Sequence, residues 1–464
     1  MDGYDKIIYG RFCFSLNPLT GKVFHMNTMK VGLDFFGCNK NLVDAETALG
    51  LMKDKGFTIT ADLSEADIII VNTCGFINPA KTESIDGIFE MAEYKKAGKC
   101  RLLAVTGCLA QRYAQALMSD IPEIDILLGV NQYEKLPEAV EQVLQTGERY
   151  ISTKDPHVFF EHQRVLSTPF YSAYIRIGEG CSNRCTFCAI PLIRGNYRSR
   201  NEDAILQEVR SFAASGVREH VLVAQDTTRY GTETNAHTTL PSLMRKCADI
   251  PGVDWLRVLY CYPDETSEEL LDLMAEKENV CRYLDLPIQH INDDILRRMH
   301  RRGDSSDIRR CVQLARERNI TLRTSIIVGF PGETEDQFQE LLGFLQEAQF
   351  DRLGAFAYSP EEDTPAARMD HQIDEDVKQE RLDRLMRLQA EISLKRNRAR
   401  IGETVKTLVL GKNENGVYEG RSEREAPETD GVLLIDTDSE LQPGQFVSVR
   451  LTEADYYDMR GVLA

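Results

Sequence analysis

The sequence predicts an α/β protein in three parts. These are a flavodoxin-like parallel sheet over residues 29–150, an incomplete barrel of six βα units over 165–398, and a small antiparallel β-barrel over 399–464. Three observations lead there. Short apolar runs alternate with amphipathic stretches from residue 29 to 150, the pattern of a parallel sheet wrapped by helices. The alternation restarts near residue 170 and continues to 395. After Gly402 it gives way to short alternating runs separated by Gly and Asn turns, as in a closed barrel. Residues 1–28 form a leader ahead of the first clear strand, and Met26 or Met29 is an alternative start.

In the first part, Met29–Gly37, Asp67–Asn72, Arg101–Thr106 and Ile124–Leu128 read as strands, with helices over roughly 40–55, 78–97 and 131–145. In the second, the strands are Ala173–Ile177, His220–Ala224, Trp255–Cys261, Tyr283–Gln289, Leu322–Gly329 and Leu353–Tyr358. Asn201 is placed to cap a helix that Gly216 stops. A charged helix follows over about 372–400. The last part offers Thr404–Leu410, Gly416–Gly420, Gly431–Ile435 and Gln445–Leu451 as strands.

Composition narrows the function. Hydrophobic residues make up 42% and charged residues 28%, as in ordinary soluble domains. No apolar run approaches the roughly 20 residues that cross a bilayer. The first 28 residues lack the continuous apolar core of a signal peptide, so a cytoplasmic protein without a membrane partner is expected. The net charge of −18 works against bulk nucleic-acid binding and favours a basic protein partner. In such a chain the 12 cysteines suit metal ligation and core packing better than disulfides.

Cys181, Cys185 and Cys188 form a C-x3-C-x2-C triplet within EGCSNRCTFCAIP, just beyond the first barrel strand. A structural zinc site wants a second pair of ligands nearby, and none is present. Three thiolates this close suit three irons of a [4Fe-4S] cubane, leaving the fourth open to a small molecule such as S-adenosylmethionine. In barrels of this kind chemistry sits at the carboxyl ends of the strands, where this triplet lies.

Cys38, Cys74 and Cys108 each follow a predicted strand, in FGCNKN, NTCGF and TGCLA. In an open parallel sheet those strand ends face one crevice. The three are therefore either ligands of a second cluster or three small buried residues. Around the first triplet, Phe187 is a candidate to lie against an adenine ring. Gln225 and Asp226 end the second barrel strand and are candidates for a methionine amino group, and Gly329 for close approach of the adenosine. The plainer reading of Gln225, Asp226 and Gly329 is of loop residues satisfying backbone groups. Arg194, Arg198 and Arg200 suit either a carboxylate or a solvated helix entrance. Cys13, Cys100, Cys247, Cys261, Cys281 and Cys311 share no spacing and read as packing residues; Cys261 and Gln289–His290 end barrel strands, with a core or loop role favoured.

GCNKNLVDAE, NTCGFI, TGCLAQRY and IRIGEGCSNRCTFCAIPLIRG, in this order, resemble the methylthiotransferases of the radical S-adenosylmethionine superfamily, from about residue 29 to the end. Within that family the chain resembles the ribosomal-protein branch, which reads G-C-x-K-N-L-V-D-x-E at its first cysteine and A-P-E-x-D-G in its TRAM barrel; the second stretch is APETDG here, Ala426–Gly431. The resemblance implies two [4Fe-4S] clusters and S-adenosylmethionine. Cys181, Cys185 and Cys188 would generate a radical, and Cys38, Cys74 and Cys108 would hold an auxiliary cluster concerned with sulfur. The implied substrate is an aspartate of small-subunit ribosomal protein twelve, methylthiolated at its β-carbon, with a reductant such as flavodoxin or ferredoxin as second partner. Asn39 departs from the family, which usually has proline there.

The alternative is the branch that methylthiolates a tRNA adenosine; it usually reads G-C-Q-M-N and has a basic last domain. Residues 401–464 instead hold 13 acidic and 6 basic side chains, which suits a basic protein and makes nucleic-acid contact at most secondary. An electron carrier would need four ligands per cluster, and an RNA-binding module would want a basic face.

Overall fold

The computed structural model describes residues 29–153, 161–234 and 238–464. The leader and Cys13 lie outside the described residues.

The first domain runs β1 (Lys30–Phe35), α1 (Asn39–Asp54), β2 (Thr58–Ile59), β3 (Ile68–Thr73), α2 (Asn78–Ala97), β4 (Leu102–Gly107), α3 (Cys108–Asp120), β5 (Ile126–Leu128), α4 (Leu136–Thr146) and β6 (Tyr150–Ser152). The strands form one sheet in the order β2-β1-β3-β4-β5-β6, parallel throughout. β3, β4 and β5 are buried at every residue, because helices cover both faces; hence IIIV, LLAV and ILL rather than an alternating pattern. α3 and the short strands β2 and β6 were not expected from the sequence. β2 and β6 are too short to display a period, and α3 is interrupted by non-helical backbone at Tyr113.

The second domain comprises β7 (Ser172–Arg176), β8 (Gly178–Glu179), α5 (Ile190–Arg194), β9 (Arg198–Ser199), α6 (Glu202–Ala214), β10 (Glu219–Val223), α7 (Leu240–Ala248), β11 (Trp255–Val258), α8 (Glu268–Glu276), β12 (Tyr283–Asp285), α9 (Asp293–Arg298), α10 (Ser305–Glu317), β13 (Thr321–Val328), α11 (Glu335–Ala348), β14 (Arg352–Ala357) and α12 (Glu375–Arg398). Two parallel triplets, β7-β10-β11 and β12-β13-β14, are joined by a bridge between Leu256 and Val280 into an open barrel wall. Asn201 caps α6 as expected, accepting from the Ala204 amide at 3.1 Å. Ala173, Ile175, Leu222 and Leu256 point outward into the helical layer. Tyr174, Val221, Trp255 and Tyr283 point inward, where they meet Leu42 and Val43 of α1 and Leu408 and Ala426 of the last domain. The incomplete barrel is thus filled by its neighbours.

The last domain is a closed barrel of β15 (Thr404–Lys412), β16 (Tyr418–Arg421), β17 (Leu433–Asp436), β18 (Phe446–Ala454) and β19 (Met459–Leu463), in the order β15-β16-β17-β19-β18. Its pairs are antiparallel except β17 with β19, which are parallel. Trp255 meets Phe446 edge-on at 4.8 Å across the joint with the second domain. Glu219 is buried there between Arg257 and Arg421. Burial raises its pKa, but the two guanidiniums outweigh that and hold it at about 2. APETDG belongs to this joint: Ala426 packs into the inner core, and Asp430 accepts from the Tyr283 hydroxyl at 2.6 Å. Glu425, Glu428 and Asp430 are therefore engaged with Arg352 and Arg400, Tyr174, and Tyr283, which lessens the acidic surface inferred from the charge count. Among the described residues no helix is long and apolar enough to cross a membrane.

Candidate iron–sulfur and cofactor site

The Cys181–Cys188 loop leaves β8 through Gly180, whose φ of +72° and approach to the carbonyls of Arg194, Gly195 and Asn196 admit no side chain. A Cβ there would lie 2.4 Å from the Asn196 carbonyl oxygen. The loop is pinned along its length. The Cys181 amide donates to the Gly195 carbonyl, the Thr186 amide to the Met299 carbonyl, and the Cys188 amide to the Cys185 carbonyl, each at 3.0 Å. Arg301 Nη1 stands 3.6 Å from the Cys185 sulfur and the Tyr262 hydroxyl 3.9 Å. Burial, then the neighbouring Cys185 and Cys181, pushes the Cys188 thiol well up; burial pushes Cys181 to about 11. Burial that disfavours the bare thiolates of Cys181 and Cys188 suits a donor set for cationic iron, whose charge reverses that preference.

Cys38, Cys74 and Cys108 also converge. A Cβ on Gly37 would lie 3.1 Å from the Cys74 Cβ, and one on Gly75 would lie 2.9 Å from the Leu109 amide nitrogen and 3.0 Å from the Cys108 carbonyl carbon. Glycine at both positions lets the three strand ends close on one another. Burial raises the Cys74 thiol furthest, with Cys108 and Cys38 adding to it. Asn41 brackets the assembly. Its Nδ2 donates to the Thr73 carbonyl at 3.0 Å, beside Cys74, and its Oδ1 accepts from the Cys108 thiol at 3.3 Å. Among the described residues no disulfide joins any of the six. None of their His, Cys, Asp or Glu side chains crowd around a single ion point. Each set offers three free thiols with a polar side chain beside it, Arg301 at Cys185 and Asn41 at Cys108, so both donor sets fit the groups expected.

Phe187 packs beside Phe330, Ile295 and Met299 near the first triplet. The Gln225 Oε1 is buried with no hydrogen-bond partner among the described residues, so it is free to accept from an ammonium group. Asp226 is already engaged, accepting from Asn183 at 2.8 Å and Arg302 at 3.1 Å. Gly329 has φ +70°, which favours glycine, and a Cβ there would also lie 2.4 Å from Lys378 Cγ of α12.

Arg194 is not solvated; its guanidinium lies beside Cys108 and is held by carboxylates of the protein itself. It is 1% exposed and bonds Asp44 at 2.8 Å, Glu179 at 2.9 Å and Asn41, across the joint between the first two domains. Arg176 joins Asp44 and Glu179 in the same network. Arg200 is held by Glu161 and Glu208. Cys261 is fully buried beside Thr227, and His290 is fully buried with its Nδ1 accepting from the Asn292 amide at 2.9 Å, so both are core or loop residues. Cys100, Cys247, Cys281 and Cys311 are buried packing residues. Tyr262 and Arg301, beside the first triplet, had no sequence signal; Asn41 lies in the GCNKN stretch itself.

Comparison with known proteins agrees with this arrangement. Three family models match: the radical SAM superfamily over residues 175–345, uncharacterized protein family UPF0004 over 30–129, and the TRAM domain over 401–463. The ribosomal protein uS12 methylthiotransferase RimO of Desulforamulus reducens is 48% identical over 94% of this chain and 99% of its own. That of Clostridioides difficile is 46% identical over 93% and 98%. Among solved structures, the radical S-adenosylmethionine methyltransferase TsrM of Kitasatospora setae, with cobalamin and a [4Fe-4S] cluster bound, shares the fold at a TM-score of 0.55 and 17% identity, over 73% of this chain and 77% of its own.

Proposed function

Since the chain belongs to the radical S-adenosylmethionine methylthiotransferases, with uS12 methylthiotransferases as its curated relatives, we propose that it methylthiolates ribosomal protein uS12 at the β-carbon of an aspartate. Membership brings S-adenosylmethionine and a [4Fe-4S] cluster. The further parts of the reading are a second cluster on Cys38, Cys74 and Cys108, a reductant of the flavodoxin or ferredoxin type, and a cytoplasmic setting. The observation that supports it most directly is the glycine-permitted convergence of those three cysteines, in a domain docked against the one holding Cys181, Cys185 and Cys188.

When bound, the cofactors supply one-electron cleavage of S-adenosylmethionine to a hydrogen-abstracting radical and a source of sulfur. The protein's share is placement. Cys181, Cys185 and Cys188 would hold the first cluster, with Arg301 against Cys185 offsetting thiolate charge. Gln225 would accept from the methionine ammonium and Phe187 would flank the adenine. The buried Asp44–Arg176–Glu179–Arg194 network keeps the two cysteine sites in fixed relation.

Anaerobically reconstituted enzyme should be incubated with S-adenosylmethionine, a reductant, and either uS12 or bulk tRNA. A methylthio mass gain is expected on the uS12 aspartate. A gain on tRNA alone would refute the protein-modifying reading.

A further inference from the structure

Two lysines are buried among the described residues. Lys378 lies 3.1 Å from the Glu375 carboxylate. Lys40 is 7% exposed, and no described carboxylate stands within ion-pair distance of it. Its ammonium rests 3.3 Å from the centroid of the Tyr260 ring. An aromatic face repays only part of what an ammonium loses on leaving water, so a buried lysine without an anion is an unusual expense.

The surroundings are built for something more. Tyr260 adopts a left-handed backbone, φ +64°, which a tyrosine avoids unless its surroundings impose it. Here its amide donates to Asp285 Oδ2 at 3.0 Å and its carbonyl accepts from the Thr227 amide at 3.0 Å. The strained turn aims the ring at the Cys38 loop, where Asn39 Nδ2 donates to the Tyr260 hydroxyl at 3.3 Å. The Asn39 Oδ1 is buried with no partner. Two residues on, the Tyr262 hydroxyl reaches Cys185 of the other triplet. The segment Tyr260–Tyr262 thus touches both cysteine sites, and the ammonium, which no described carboxylate pairs, stands between Tyr260 and the Cys38 thiol.

We propose that Lys40 is the specificity residue for the substrate side chain, its ammonium pairing with the carboxylate of the target aspartate over the Tyr260 ring. This rests on the protein-aspartate reading above. A carboxylate placed there supplies the missing anion and holds the adjacent β-carbon between the two cysteine sites. A neutral amide in its place leaves the ammonium unpaired, so the site discriminates aspartate from asparagine by charge.

The test uses cluster-loaded enzyme and full-length uS12 with its target aspartate intact or replaced by asparagine, with binding measured anaerobically in the presence of S-adenosylmethionine. The wild-type enzyme should favour the aspartate form at least about tenfold, a difference one charge pair readily supplies. Lys40→Met should erase that preference, and Lys40→Arg should keep part of it. Iron content and cofactor cleavage without substrate should be unchanged in both variants. Retention of the aspartate preference by Lys40→Met would overturn the proposal. So would a shifted auxiliary-cluster potential with that preference intact, which would make Lys40 a counter-ion of the cluster. If the wild-type enzyme binds neither form of uS12, the functional reading itself fails, an outcome distinct from loss of discrimination.

Discussion

Cys181, Cys185 and Cys188 sit on one short loop, tied at Cys181 to Gly195 and at Thr186 to Met299, whereas Cys38, Cys74 and Cys108 arrive from three strand ends, 36 and then 34 residues apart. The first set keeps its three ligands together within eight residues of chain. The second exists only while β1, β3 and β4 keep their register and Gly37 and Gly75 keep their close contacts. Two sites with the same thiol chemistry therefore differ in what can dismantle them. The local one is sensitive to its ligands, the assembled one also to the packing around it.

The largest expected effect separates the two by ligand removal. Cys185→Ala should abolish cofactor cleavage and modification together, while Cys74→Ala should leave cleavage and lose only methylthio transfer; in each case iron should fall from about eight to about four per chain. Iron assay and product analysis by mass spectrometry check both. If Cys74→Ala keeps full transfer, the second site is not a ligand set.

A smaller effect tests the joint between the sites. Asp44→Asn leaves Arg176 and Arg194 sharing only Glu179 in a buried setting. Removing one partner from such a network costs about 3–5 kcal/mol. Thermal melting of iron-free protein should show the loss, and an unchanged melt would mean the network contributes no net stability.

The smallest change is steric. Gly75→Ala drives a methyl group against the backbone at Cys108 and Leu109, an overpacking penalty of about 1–3 kcal/mol. Iron should be lost from the assembled site while cofactor cleavage at the local one continues. Equal loss from both sites would show that they are not independent.

Legibility followed the range of the interactions. α2 occupies 78–97 as the sequence led one to expect, because its pattern repeats over five turns within one segment. α3 was hidden because it starts directly on the strand-end cysteine and is kinked at Tyr113. Arg194 reads in sequence as one of three arginines in a polar stretch. That it is buried against Asp44, 150 residues away, depends on how two domains dock. Tyr260 and Tyr262 are likewise unremarkable residues after a strand until the turn directs one ring to each cysteine site.

The chain alone determined its three-part division, the local triplet and the chemistry that triplet serves, since each depends on residues near one another in sequence. Tertiary structure alone decided that three distant cysteines converge, that APETDG is a domain joint, and that no described carboxylate pairs with Lys40. The first depends on the register of β1, β3 and β4 and the others on which buried groups meet across domain boundaries, and spacing along a chain holds no record of either.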